Sequence, residues 1–172
     1  GDQLAGDKKY DEAIAAYTNA TELKPEEAYP KQKIEEVTAA KENAAKEAEL
    51  AELQKQYDEK IASADNAFNS GDLESAKTEY QAALSLKPDE AYPKEKIESI
   101  TASLANAAAE DQKYKDAISA ADKLVVEQKW EEAKSKYSEA SSIKPDQEFP
   151  KEKIKEIDER LAEIAAEQEE IR

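Results

Sequence analysis

The chain has no cysteine, no histidine, no methionine and three glycines, and aromatic residues make up only 6% of it. Without Cys and His there are no disulfides, no thiol nucleophiles, no imidazole bases and none of the usual donors for zinc-like metals. No apolar run approaches the ~20 residues of a membrane helix, so membrane insertion is not expected. Basic charge is also scarce: 25 Lys and Arg stand against 41 Asp and Glu, a formal charge of −16. Nucleic acid needs a basic face to displace its counterions, and anionic membranes make the same demand. With no Met at its start, the chain is expected either to have lost a leader, which would fit a secreted or bacterial cell-envelope protein, or to belong to something longer. Its compartment is otherwise open.

What is present is a helix-former's composition. Ala, Glu, Lys, Leu, Ile and Gln fill the long stretches, and the β-branched and aromatic runs that build sheets are missing. The expected class is all-α. With Ala as the main apolar residue, the core is a thin layer between helices.

Three segments superpose: Tyr10 to Ile34, Leu73 to Ile97 and Trp130 to Ile154. They read YDEAIAAYTNATELKPEEAYPKQKI, LESAKTEYQAALSLKPDEAYPKEKI and WEEAKSKYSEASSIKPDQEFPKEKI, with the Lys-Pro prolines 63 and 57 residues apart. Each opens on a stripe of Ala, Tyr and Ala at helical period: Ala13, Tyr17, Ala20; Ala76, Tyr80, Ala83; Ala133, Tyr137, Ala140. Pro25, Pro88 and Pro145 end that helix, because proline disfavours the helical conformation of its predecessor. Pro30, Pro93 and Pro150 stand where the next helix begins. Short helices are thus predicted over about 10–23, 73–86 and 130–143, and long ones over about 30–69, 93–127 and 150–172. Together they make one array over residues 1–172.

The long segments carry apolar seams at alternating three-four spacing. One runs Ile97, Ile100, Leu104, Ala107, then Tyr114, Ile118, Ala121 and Val125, with Asp111 interrupting it; the other is Ile154, Ile157, Leu161, Ile164 and Ile171, interrupted by Gln168. Between Pro30 and Tyr57 the first long helix has six more residues than the second has between Pro93 and Tyr114. Six residues rotate a helix by about 600°, so its seam must change face, and a local change of partner or an irregular turn is predicted around Ala44 to Leu53.

In GDLESAKTEYQAALSLKP, and in the matching stretches ending at Pro25 and Pro145, the chain resembles the tetratricopeptide repeat. Its short helix has the family's small residues at helix contacts, a Tyr between them and a closing proline. The resemblance implies a solenoid of antiparallel helical hairpins, here three repeats of alternating short and long helices, and a role in protein–protein contact rather than catalysis. The 63- and 57-residue intervals exceed the family's 34, and the Lys-Pro-Asp-Glu-Ala-Tyr-Pro-Lys string resembles repeats of bacterial envelope and secreted proteins.

The residues expected to pack the repeats are the nine of the Ala-Tyr-Ala stripes. No catalytic, metal or cofactor site is expected. Leu4, Leu161, Ile164 and Ile171 lie on stripes that continue toward the ends, and solenoids need polar caps or partners to cover such faces. They are candidate inter-subunit residues for a head-to-tail polymer, a filament or tube. Two other readings stay open: a monomeric adaptor that binds a partner peptide, and a part of a longer envelope repeat protein. Tyr29, Tyr92 and Phe149 are expected to tuck under their loops as staples, and the Lys pairs that follow them to form a solvated rim. Trp130 holds the packing place of Tyr10 and Leu73. The glycosylation pattern Asn19-Ala-Thr21 falls inside a predicted helix.

Overall fold

The computed structural model describes every residue from Gly1 to Arg172. It is all-helical and has no strand. The helices are α1 (Asp2–Gly6), α2 (Tyr10–Leu23), α3 (Ala28–Asn69), α4 (Leu73–Leu86), α5 (Ala91–Val126), α6 (Trp130–Ile143) and α7 (Glu148–Ile171). The chain divides into two compact units, Gly1–Lys96 and Ile97–Arg172, at a point inside α5.

In the first unit α2 packs on α1 and α3, and α4 packs on α3. The α3–α4 hairpin is antiparallel: Tyr80 reaches Asp65 while the later Lys87 reaches the earlier Gln54. Where α1, α2 and α3 meet, the core cluster is Ala13, Tyr17 and Val37, with Leu4, Ala5, Tyr10, Ile14 and Ile34 packed around it. In the second unit α6 packs on α7. There the cluster is Ala121, Ala133, Tyr137 and Ile157, flanked by Ile118, Leu124, Val125, Trp130, Ile154 and Leu161. Alanines at the crossings let the helix axes approach until a single Tyr ring fills the space between them.

The second prolines do not start their helices. α3, α5 and α7 begin at Ala28, Ala91 and Glu148, so Pro30, Pro93 and Pro150 are third residues. The first four N–H groups of a helix have no intrahelical partner, so a proline in that turn removes no bond.

The turns entering the short helices share one form. Lys8, Gly71 and Gln128 each have positive φ, at 58°, 84° and 59°. Around each, the next residue's N–H bonds to the carbonyl five residues back and its own N–H to the one three back, as in Lys9 to Leu4 with Lys8 to Ala5, Asp72 to Ala67 with Gly71 to Phe68, and Lys129 to Leu124 with Gln128 to Val125. This is the Schellman arrangement that satisfies terminal carbonyls. Only the middle copy places glycine there, the residue without a Cβ penalty in this region.

α3 decides between the two outcomes expected around Ala44 to Leu53. No irregular turn interrupts it, and the helix is continuous over 42 residues; what changes along it is the partner, α2 toward one end and α4 toward the other. Its buried residues Val37 and Tyr57 stand 20 positions apart, a rotation of about 200° after whole turns are removed. The helix therefore presents nearly opposite faces to its two neighbours, and residues 38–56 between them are half or fully exposed. An exposed Ala-, Glu- and Lys-rich helix keeps its backbone bonds at little cost, so the change of face needs no break. No helix is long and apolar enough to cross a membrane.

Candidate protein-contact surface

The stripe residues lie where short and long helices meet. Ala13, Ala76, Ala133, Ala83 and Ala140 are fully buried, as are Tyr80 and, within a few per cent, Tyr17 and Tyr137. Ala20 is the exception and is half-buried. Beside each Tyr is a carboxylate that the sequence did not single out. The hydroxyls of Tyr17, Tyr80 and Tyr137 donate to Asp2, Asp65 and Asp122, each 15 residues earlier. Tyr29 and Tyr92 donate to the same carboxylates, at 2.8 and 2.7 Å. Phe149 takes their place in the third copy, so Asp122 accepts from Tyr137 without a second phenol.

The aromatics before the second prolines are not staples under their loops. Tyr29, Tyr92 and Phe149 stand edge-on to Tyr17, Tyr80 and Tyr137, with centroids 6.5, 6.0 and 6.3 Å apart, and remain half exposed. Lys33, Lys96 and Lys153, four residues on, lie over these rings at 5.6, 5.6 and 5.8 Å. Lys96 also lies 4.3 Å from the Phe68 centroid. Lys33 and Lys153 pair with Glu36 and Glu156 at 2.5 and 2.6 Å. These are local, exposed pairs, each contributing at most about 1 kcal/mol.

Burial, and then the bond to the carboxylate, push the Tyr80 and Tyr137 hydroxyls well above the ordinary range. For Tyr17 the bond to Asp2 leads and raises it to about 12. The folded chain therefore holds these phenols protonated while the unfolded chain ionises them near 10.0. Their contribution to stability is complete below about pH 10 and declines above it, because the unfolded state then loses protons that the folded state keeps. In an alkaline titration followed by ultraviolet absorbance and circular dichroism, the last tyrosines are expected to ionise only as helicity is lost. Ionisation of all eight tyrosines at the ordinary midpoint, with helicity unchanged, would show that the carboxylate bonds are not there.

Open grooves of about 310 Å³ lie beside Tyr17 in the first unit and Tyr137 in the second. One is lined by Asp2, Tyr10, Tyr17, Tyr29, Lys33 and Glu36 among others, the other by Asp122, Trp130, Tyr137, Lys153, Glu156 and Arg160. Both carry acidic and basic side chains beside apolar ones.

Comparison with protein-family models, with curated proteins and with solved structures finds no match.

A second recurring contact sits at the other end of the short helices. Lys87 donates to the Gln54 side chain and lies 5.2 Å from the Tyr57 ring. Lys144 pairs with Asp111 and lies 5.4 Å from the Tyr114 ring. Lys115 from the same helix, then Lys144, hold the Asp111 carboxyl down at about 2. Of the four residues put forward as inter-subunit contacts, Leu4 and Leu161 pack against the clusters of their own units. Ile164 is half-buried and Ile171 is exposed. Asp2, Asp65 and Asp122 carried one signal in the sequence, their recurrence at the 63- and 57-residue spacing. Acids are so frequent here that the recurrence does not stand out.

Proposed function

We propose that this protein is a non-catalytic helical-repeat scaffold of tetratricopeptide-like hairpins that acts through protein contacts, including head-to-tail self-association into a filament or tube. The observation that carries this reading is an asymmetry among like positions. Leu86 and Ile143, the last residues of α4 and α6, are half-buried, whereas Leu23, the last of α2, is 83% exposed. Ile171 continues the seam of Ile157, Leu161 and Ile164 and is 85% exposed. Both residues are large and apolar, and a neighbouring helix that covered either would contribute a share of the roughly 1.5–3 kcal/mol that full burial of such a side chain gives.

Sedimentation velocity over a concentration series, with negative-stain microscopy, tests the proposal. The sedimentation coefficient is expected to rise with concentration and elongated particles to appear. A single monomeric species at every concentration would overturn self-association. The two open grooves favour a second reading, a monomeric adaptor that takes a peptide of mixed charge, and a monomeric result would turn the account to it.

A further inference from the structure

The contact at the end of the short helices has a fixed register. Its receiving residues stand 33 and 30 positions before the lysine: Gln54 and Tyr57 for Lys87, Asp111 and Tyr114 for Lys144. Around the lysine the pattern is also constant, with Ala83 and Ala140 fully buried and Leu86 and Ile143 half-buried. The third set, Ala20, Leu23 and Lys24, has the same spacing but lies open: Ala20 is half-buried, and Leu23 and Lys24 are exposed.

The complementary half is also displayed by this chain. The step of 57 residues that takes Gln54 to Asp111 and Tyr57 to Tyr114 leads next to Gln168 and Ile171. Both are exposed residues in the last turns of α7, one turn apart on one face. Gln168 repeats the amide that receives Lys87, and Ile171 is an apolar replacement for the Tyr. Glu167, Glu169 and Glu170 neighbour them in sequence, so the site is electrostatically suited to a lysine.

We propose that these halves meet between two copies of the chain: Leu23 of one copy packs on Ile171 of the next, while Lys24 donates to the Gln168 amide oxygen. This rests on the self-association reading and names its contact. The internal pairs serve as its template, since twice within one chain a lysine meets the residues 33 and 30 positions before it.

Dissociation constants from sedimentation equilibrium at about 0.15 M salt, where repulsion between acidic copies is screened beyond ~8 Å, test the register in the full chain. Leu23→Glu and Ile171→Glu are each expected to weaken association at least about tenfold, some 1.4 kcal/mol. Both positions are exposed, and unchanged circular dichroism and unfolding will show that the fold is intact. Gln168→Lys is expected to weaken it by setting ammonium against ammonium, and adding Lys24→Glu to restore it. Ile171→Tyr, which recreates the internal pattern, is expected to tighten it. Association that survives Leu23→Glu and Ile171→Glu unchanged would overturn this register while leaving self-association standing. A monomeric wild-type chain would overturn both. A monomer that bound an added peptide of residues 46–63 would assign the Leu23 face to another repeat helix and likewise overturn the pairing of copies.

Discussion

Tyr137→Ala is expected to lower the unfolding free energy by about 3–5 kcal/mol, the range for truncating a buried aromatic ring. Tyr137 is 1% exposed and forms one core cluster with Ala121, Ala133 and Ile157. Three of these four are already small or β-branched, so the surrounding helices have little side chain with which to refill the space. The ring also supports Phe149 edge-on, and its hydroxyl is the donor to Asp122 at 2.5 Å. Trp130, the chain's single tryptophan, packs against the same cluster, so its fluorescence during urea unfolding reads this unit directly. A loss below about 1 kcal/mol would mean that α6 is not seated on α5 and α7 as described.

The hydroxyl can be separated from the ring. Tyr137→Phe keeps the packing and leaves Asp122 without its phenol, whereas Tyr17→Phe leaves Asp2 the bond from Tyr29. The first substitution is therefore expected to cost more than the second.

Ala45→Pro is expected to cost about 3 kcal/mol and to reduce helicity, because an interior proline removes a backbone bond and clashes with the preceding turn. Ala45 is exposed in the middle of α3, so no tertiary contact is lost and the whole effect belongs to the backbone. Ala45→Gly, which keeps the N–H, is expected to cost only about 1 kcal/mol. Circular dichroism and urea unfolding measure both. A freely tolerated proline would mean that the helix is already broken there.

Of the two outcomes the extra residues allow, the chain takes a change of partner and not an irregular turn. Counting residues around the helix shows that Val37 and Tyr57 cannot share a face, but it does not say how the chain accommodates this. A buried seam would have needed a break to follow its neighbour. α3 leaves residues 38–56 uncovered instead, and side chains such as Gln54 and Asp58, joined at 2.7 Å, satisfy one another along the surface. The prolines were misplaced by two residues for a related reason, since any position in the first turn is open to proline and local rules do not choose among them.

The all-α class was determined by sequence alone. Strand-forming runs are absent, glycine is nearly so, and the Ala-Tyr-Ala spacing admits only a helical face; these are local properties of the chain, legible without its fold. Which residues meet across helices was decided by tertiary structure. Asp65 and Tyr80 are 15 positions apart, and Gln54 and Lys87 are 33 apart; nothing in their spacing marks them as partners until two helices cross at a particular height. Periodicity tells which face of a helix is buried, but only packing sets what lies opposite it, and hence which apolar residues, Leu23 and Ile171 here, are left uncovered.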